Sequence, residues 1–283
     1  MARRRMGTYL GVVIDDYPLD PARPELGEFV HELLRQHKVA VFKNQHLDRH
    51  AFVKVAKRIG RPQAHPFISE NDPVVHGISP FQPYHDYPEI TGIYHDETHT
   101  GNLNVWHSDL YWREVPPAEL ILRAVQIPPR GGDTCWADMG AAYRSLSDQT
   151  RSELADMRVI HDFLTIYSAA FADDEEAFNH MREKYPQQSH PLVLAHPKTG
   201  EKVLFSNKSS ATRIEGLDEK ESRRVLDMVH LLAWRPEFQC RLRWEEGDVV
   251  VWDNFAAQHY AVSDYRPHAR KVERILLEGE PIK

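Results

Sequence analysis

The 283-residue chain has two cysteines, Cys135 and Cys240, and no apolar run long enough to cross a bilayer. Two cysteines exclude a disulfide framework and a zinc site made of thiolates, and they fit a reducing compartment. The basic start MARRRM is not followed by an apolar stretch, which argues against a secretory signal. These absences predict a cytoplasmic protein that has no membrane partner.

Positive charge is also in short supply. The 35 Lys and Arg residues are outnumbered by 42 Asp and Glu residues, and the formal net charge is −7. Because general nucleic-acid binding needs a basic face, this balance argues against nucleic acid as a partner. Histidine is abundant instead, with 17 residues, so one histidine alone is weak evidence for a metal site.

The order of the predicted elements favours a mainly β protein that also carries helices. Apolar spacing and capping residues predict helices over 24–38, 48–60 and 218–233, and apolar runs between turns predict strands over 38–44, 118–127, 201–207, 238–244, 248–254 and 270–279. Strands grouped at both ends of the chain indicate a β-sandwich or barrel. We expect one domain over 1–283, with a helical insert at 138–185 and a substrate lid at 61–104, which is irregular and rich in Pro, His and Asp.

His107 and Asp109 stand two residues apart in the stretch VWHSDLYW (105–112). Since side chains alternate along a strand, a strand here would point both residues to one face. An imidazole nitrogen and a carboxylate oxygen on one face could bind one metal ion together. A His–Asp hydrogen-bonded pair at the surface is the alternative that so short a pattern leaves open.

The C-terminal segment supplies residues of the same kind. An apolar strand and a turn precede His259, and Arg270 and Arg274 on the last strand would share a face with Val272 and Leu276. Inward arginines are costly unless they meet anions, although an edge strand with solvated arginines is the alternative. Two histidines, a carboxylate and an inward arginine meet the needs of a non-haem Fe(II) oxygenase with a dicarboxylic co-substrate.

In these features the sequence resembles the Fe(II)/2-oxoglutarate-dependent dioxygenases of the taurine dioxygenase (TauD/TfdA) family, which includes aryloxyacetate-degrading and alkylsulfatase members. The matching pieces follow the family's order and cover most of the chain from residue 106 onward: WHSD (106–109), PPRGGDTCWADMGAAYRSLS (128–147), HPLVLAHPKTGEKVLFSN (190–207), TRI (212–214), GDVVVWDNFAAQHYA (247–261) and RKVER (270–274). The piece HKVAVFKNQHLDRHAFVKVAKRIG (37–60) resembles the family's N-terminal portion.

The resemblance implies a double-stranded β-helix, the jelly roll of the cupins, with buttressing helices. It implies oxidation of an unactivated C–H bond that depends on Fe(II), 2-oxoglutarate and O₂ and releases succinate and CO₂. It also assigns roles to residues: iron ligands His107, Asp109 and His259, 2-oxoglutarate anchors Thr134 and Arg270, and substrate-binding residues His65 and Arg274. Relatives are often homodimers or homotetramers, and either assembly stays open here.

Several alternatives also stay open at this point. His65 is equally compatible with a structural loop histidine, and Thr134 with an ordinary strand position. The same site could hydroxylate a small acidic substrate or desaturate it, and a cupin-like metal sensor without turnover belongs to another class.

Differences from the taurine enzyme put the substrate in question. That enzyme has a tyrosine, an asparagine and an aromatic residue where this chain has Ile68, Leu103 and a position near Ser210, so a substrate other than taurine is expected. The irregular segment also holds four histidines that would form either a second metal cluster or part of the lid: His76, His85, His95 and His99.

Overall fold

The computed structural model of the protein describes residues 2–66, 81–97, 104–168 and 175–282. Its α-helices are Leu26–His37 (α1), Arg49–Ile59 (α2), Met139–Arg144 (α3), Asp148–Leu154 (α4), Leu164–Tyr167 (α5), Glu175–Lys184 (α6) and Glu219–Leu232 (α7), and a 3₁₀ turn spans Pro236–Phe238. Its strands are Ala2–Arg5 (β1), Val12–Asp15 (β2), Val39–Phe42 (β3), Pro62–Gln63 (β4), Phe81–Pro83 (β5), Ile90–His95 (β6), Glu119–Gln126 (β7), Thr134–Asp138 (β8), Arg158–His161 (β9), Gln188–Pro191 (β10), Val193–Ala195 (β11), Lys202–Leu204 (β12), Ala211–Ile214 (β13), Gln239–Leu242 (β14), Val249–Asp253 (β15), Ala257–Ala261 (β16) and Arg270–Leu277 (β17).

A large sheet joins both ends of the chain. Its strands run in the order β1-β2-β3-β15-β7-β17-β6-β5, and β4 pairs with β17. Strands β2 and β3 are parallel, and β17 is antiparallel to both of its long neighbours, β7 and β6. The last strand of the chain is therefore enclosed inside the sheet, where its side chains reach the core.

A second sheet of three strands, β14-β8-β16, faces the large one. The two sheets share an apolar core in which the rings of Trp136 and Trp252 have centroids 5.9 Å apart. Val250 also enters this core, whereas Val249 and Val251 pack with α1 and α2 on the other face of the large sheet. The continuous apolar run of β15 thus fits a strand that is buried on both faces.

Helices cover the outer faces of both sheets. Helices α1 and α2 pack on the large sheet, and α3 and α7 pack with Ala137 on the outer face of the smaller one. This arrangement confirms the mainly β jelly-roll fold with buttressing helices. In the parts of the chain that the structure describes, no helix has both the length and the apolar character that crossing a bilayer requires.

Two predicted helix starts are confirmed at atomic detail. Asp48 Oδ1 accepts a hydrogen bond from Ala51 N at 2.7 Å before α2, and Asp218 Oδ1 accepts one from Glu221 N at 2.8 Å before α7. Both bonds satisfy a backbone donor that the first helical turn leaves unpaired.

Residues 105–112 do not form the strand that would have pointed His107 and Asp109 to one face. His107 makes an isolated β-bridge with His259, and the chain turns from Asp109 to Trp112. Leu110, next to Asp109, has a φ of 57°, in the left-handed region that ends extended structure. Alternation along a strand therefore does not explain why His107 and Asp109 point the same way.

The ranges predicted to be a lid and a helical insert also hold strands that the sequence patterns did not predict. The range 61–104 contains β6, whose central Gly92 lacks the side chain that would have marked it as a strand. The range 138–185 contains β9 between its helices. The organisation of 1–283 as one domain, with a lid at 61–104 and an insert at 138–185, stays a prediction, as does assembly into a homodimer or homotetramer.

Candidate active site

The isolated β-bridge brings two histidines from distant parts of the chain together. His107 N donates to His259 O at 3.0 Å, and His259 N donates to His107 O at 2.7 Å. His259 is placed by β16, which pairs regularly with β8. Because opposed residues in an antiparallel pair point to the same side, the imidazoles meet, with ring centroids 4.0 Å apart.

Asp109 completes a compact group of three donors. Its Oδ1 lies 3.7 Å from His107 Nε2 and 3.8 Å from His259 Nε2. All three residues are buried, and their ligand atoms lie within 4.8 Å of one another; no second such group occurs in the described ranges. Two imidazoles and a carboxylate that converge in this way match the facial triad of non-haem Fe(II) oxygenases.

The protonation of the two histidines suits a metal ion. His107 Nδ1 bonds to the backbone oxygen of Val105 at 2.7 Å, so Nδ1 carries the proton and Nε2 keeps a free lone pair. Burial lowers the pKa of His107, and burial lowers the pKa of His259 well below its usual value. Both rings are therefore neutral near pH 7, and the donor set fits Fe(II).

Arg274 of β17 forms an ion pair with the carboxylate of Asp109. Its Nη1 donates to Asp109 Oδ2, while Oδ1 is the oxygen that faces the histidines. The Nε and Nη2 atoms of Arg274 are buried and have no hydrogen-bond partner among the described residues. These two unused donors could bind an anionic group in a neighbouring cavity.

Arg270 and Thr134 belong to one buried cluster around Trp244. Arg270 Nε donates to Gly132 O at 3.0 Å, and its guanidinium carbon lies 5.9 Å from the centre of the Trp244 ring. Trp244 Nε1 donates to Thr134 Oγ1 at 2.9 Å. Burial lowers the pKa of Arg270, and none of the described carboxylates forms an ion pair with it. An anion that bound here would offset the cost of burying the guanidinium.

The strand register connects this cluster with the three donors. Trp136 of β8 lies directly opposite His259, and Thr134, two residues earlier, points to the same side. Gly132, just before β8, has a φ of 71°, and a Cβ on it would lie 3.0 Å from Arg270 Cδ. The second glycine of GGDT is therefore required both for the turn and for the space that the arginine occupies.

A cavity opens beside the three donors and contains both residues that were predicted to bind substrate. Its lining includes His65, Phe81, Leu110, Trp112, Ile166, Tyr167, Ser209 and Arg274. The rings of His65 and Phe81 have centroids 4.8 Å apart, and burial together with Arg274 lowers the pKa of His65 well below its usual value. The cavity thus combines apolar walls with a cation and a neutral histidine.

Sequence reasoning missed part of this wall. Ile166 and Tyr167 come from the short helix α5, where no pattern in the sequence set them apart from core residues. Ile68 and Leu103 lie outside the described residues. Ser209, rather than Ser210, lines the cavity, because Ser210 Oγ bonds to a buried histidine: His161, at 2.8 Å.

The described histidines of the irregular segment do not support a second metal cluster. His85 is exposed. His95 lies on β6 opposite Arg270, and its Nδ1 bonds to Tyr265 OH at 2.7 Å. Neither belongs to a group of metal donors among the described residues. His76 and His99 lie outside those residues.

Comparison with known proteins defines the class to which this fold and site belong. The model of the family described as taurine catabolism dioxygenase TauD, TfdA family matches residues 4–276. The chain belongs to this family. It is an oxidoreductase, an Fe(II)- and 2-oxoglutarate-dependent dioxygenase that uses O₂ and acts on a small molecule, which overturns the sensor alternative.

Individual relatives support the same assignment. The chain is 33% identical over 261 residues to an alkylsulfatase of Acinetobacter baylyi, covering 89% of this chain and 77% of the relative. It is 35% identical over 260 residues to an alpha-ketoglutarate-dependent sulfate ester dioxygenase of Pseudomonas putida, covering 89% and 81%.

Solved structures share the whole fold. A protein described as a putative alpha-ketoglutarate-dependent taurine dioxygenase from Burkholderia xenovorans superposes with a TM-score of 0.81 at 28% identity, over 99% of this chain and 90% of the other. The protein AAD-2, in complex with Mn(II) and N-oxalylglycine, gives a TM-score of 0.78 at 25% identity, over 100% of this chain and 99% of the other.

Proposed function

We propose that His107, Asp109 and His259 bind the Fe(II) of this dioxygenase. The observation that carries the assignment is the convergence of Asp109 Oδ1 on two histidine Nε2 atoms, at 3.7 and 3.8 Å, in a buried site. When bound there, Fe(II) supplies the redox chemistry that couples O₂ to the decarboxylation of 2-oxoglutarate. The protein holds the three donors in place, and a cavity opens beside them.

Arg270 and Thr134 would bind the distal carboxylate of 2-oxoglutarate. The guanidinium is buried, has no carboxylate partner among the described residues, and offers two terminal nitrogens for a bidentate pair. Thr134 Oγ1 accepts the hydrogen of Trp244, so its own hydroxyl hydrogen is available to the carboxylate. The two residues together would fix one end of the co-substrate while its other end reaches the metal.

The primary substrate would be a small organic acid, and we expect its hydroxylation at an unactivated C–H bond. Arg274 Nε and Nη2, with His65 nearby, would bind the acidic group, while Phe81, Trp112 and Tyr167 would pack against the apolar part. The overall reaction consumes one O₂ and one 2-oxoglutarate, and it releases the hydroxylated product, succinate and CO₂. Desaturation by the same site is the second outcome that the product mass would reveal.

The substrates named for relatives agree with an acidic substrate. These relatives include a sulfate ester dioxygenase of Pseudomonas putida, a sulfonate dioxygenase of Saccharomyces cerevisiae and a 2,4-dichlorophenoxyacetate dioxygenase of a Burkholderia species. Sulfate ester, sulfonate and aryloxyacetate are all anions at neutral pH. We therefore propose an anionic group on the substrate and choose candidates for the test from these three chemical classes.

The test is a screen of small sulfate esters, sulfonates and carboxylates for substrate-dependent release of succinate, with product masses measured in parallel. A gain of one oxygen atom supports hydroxylation, and a loss of two hydrogens identifies desaturation. In Arg274→Met the preference for anionic over neutral candidates should be lost. Because this variant also loses the ion pair with Asp109, its affinity for Mn(II) is measured alongside. Succinate release that depends on neutral substrates alone would contradict the proposed substrate class.

The ligand assignment has its own test. His107→Ala and Asp109→Ala should each abolish turnover of 2-oxoglutarate, because each removes one of three metal donors. His50→Ala is the control, since His50 is exposed on α2 and does not belong to the donor group. Retained activity in both ligand variants would overturn the assignment.

A further inference from the structure

The side chain of Asn254 holds the backbone of Asp109 at two points. Asn254 is fully buried in the turn between β15 and β16. Its Oδ1 accepts from Asp109 N and its Nδ2 donates to Asp109 O, both at 2.9 Å. One side-chain amide thus makes the two bonds that a neighbouring strand would make to a residue in a β-ladder.

Asp109 needs this partner because its own segment is not a strand. The bridge at His107 ends there, and Leu110 turns the chain with its φ of 57°. Asp109 is buried, so an unpaired backbone N–H or C=O would carry a desolvation penalty. The amide of Asn254 removes that penalty and fixes the orientation of the residue at the same time.

Asn254 is itself held on several sides. The second hydrogen of Nδ2 goes to Pro117 O at 2.9 Å, and its backbone N donates to Ala118 O at 2.9 Å. Tyr111 OH donates to Asn254 O at 2.7 Å. With both amide hydrogens and the amide oxygen in use, the side chain has one orientation that satisfies all its partners.

We propose that Asn254 is a positioning residue for the metal centre. By clamping N and O of Asp109 it sets the direction of the Cα–Cβ bond, and so it directs Oδ1 towards the Nε2 atoms of the two histidines. Arg274 contacts only the outer oxygen, Oδ2, and cannot set the backbone. The inference rests on the proposed role of Asp109 as a ligand, and it adds a residue without contact to the metal or the substrate.

The test compares Asn254→Leu with Gln45→Met. The side-chain amide of the half-buried Gln45 also makes three hydrogen bonds to backbone: it accepts from Leu19 N at 2.7 Å and donates to Tyr17 O at 3.1 Å and to Lys43 O at 2.6 Å. Each substitution replaces an amide with an apolar side chain of similar shape and removes three hydrogen bonds. Only the first removes bonds to a proposed ligand.

The affinity of the full-length protein for Mn(II) is measured by electron paramagnetic resonance, and the thermal midpoint is measured on the same samples. We expect Asn254→Leu to raise the Kd for Mn(II) about 10- to 100-fold, the usual effect of losing a residue that orients a ligand. Gln45→Met should lower the midpoint but change the Kd by less than about twofold. In an Asp109→Ala background, Asn254→Leu should cause no further loss of Mn(II) affinity, because the residue through which it acts is gone.

Two results would overturn the positioning role. One is an affinity of Asn254→Leu for Mn(II) equal to that of the wild type. The other is that Asn254→Leu weakens Mn(II) binding in the Asp109→Ala background by the same factor as in the wild type. Asp109→Ala alone separates this failure from failure of the ligand assignment: if it binds Mn(II) as tightly as the wild type, Asp109 is not a ligand and both proposals fall. If Asn254→Leu does not fold, Asn254→Ser, which keeps a hydroxyl, is judged by the same criteria.

Discussion

Replacing Arg270 with methionine should weaken the binding of 2-oxoglutarate without lowering the stability of the protein in the absence of 2-oxoglutarate. Arg270 is 5% exposed, and the one hydrogen bond that its side chain makes to a described residue runs from Nε to Gly132 O at 3.0 Å. Its charge therefore stays buried without a carboxylate partner in the described ranges until an anionic co-substrate arrives.

The expected magnitudes follow from this arrangement. Hydrogen bonds to charged groups contribute about 1.5–3 kcal/mol, and about 1.4 kcal/mol corresponds to a tenfold change in Kd, so the Kd for 2-oxoglutarate should rise at least about tenfold. Losing the charged hydrogen bond to Gly132 O costs about 1.5–3 kcal/mol. Removing a buried, unpaired charge recovers about as much or more, so the free energy of unfolding without co-substrate should stay level or rise.

The assay is an anaerobic titration of the Fe(II)-loaded protein with 2-oxoglutarate, followed by the charge-transfer absorption of the complex. Thermal midpoints are recorded with and without 2-oxoglutarate. The matched control is Arg123→Met on β7, whose guanidinium pairs with Glu273 on the opposite face of β17. This control should lower the midpoint but leave the Kd for 2-oxoglutarate unchanged.

An Arg270→Met protein whose Kd for 2-oxoglutarate differs by less than about twofold would refute the reasoning. The cation that binds the distal carboxylate would then be Arg274 or another residue. A loss of stability in Arg270→Met as large as in Arg123→Met would show that the guanidinium has an anionic partner within the protein.

Three further predictions concern stability. Glu273 is fully buried between Arg49 and Arg123; burial would raise its pKa, but the two arginines lower it. Glu273→Gln should therefore lower the free energy of unfolding by about 3 kcal/mol at neutral pH. In acid unfolding experiments, this difference between the variant and the wild type should disappear as pH falls through the carboxylate range. Burial would lower the pKa of His196, but the Asp253 carboxylate at 2.7 Å outweighs burial, and the pKa is raised. The stability that this pair contributes is therefore complete at about pH 6 or below and is lost as pH rises. His196→Gln should remove this pH dependence from the thermal midpoints. Mn(II) at about 100 times its Kd should raise the free energy of unfolding by about 2.7 kcal/mol, and EDTA should reverse this gain; no gain would mean that the site does not bind metal in the folded state.

Much of the fold was predictable because its determinants are local. The capping carboxylates of Asp48 and Asp218 bond to backbone three residues away, and the apolar runs of β7, β15 and β17 read as strands by themselves. Strand β6 escaped prediction because Gly92 interrupts its pattern, and because its partner β17 lies far away in the sequence.

The candidate site was predictable in its chemistry but not in its construction. His107, Asp109 and His259 were chosen from donor type and from resemblance to a family. A strand at 105–112, which would have pointed His107 and Asp109 to one face, is nevertheless not formed, since Leu110 turns the chain at once. No local pattern indicated that Asn254, 145 residues away from Asp109, would serve as its backbone partner.

By itself, the sequence determined which donors and charges this protein has and which segments form the long strands and the capped helices. Side-chain chemistry and local periodicity depend only on residues that are neighbours in the sequence. The tertiary structure decided which of these groups meet. Pairing β17 inside the large sheet places Arg274 against Asp109, and the bridge between His107 and His259 closes the donor group. Such meetings depend on strand register and on buried polar groups finding partners across the whole chain, which only the folded molecule settles.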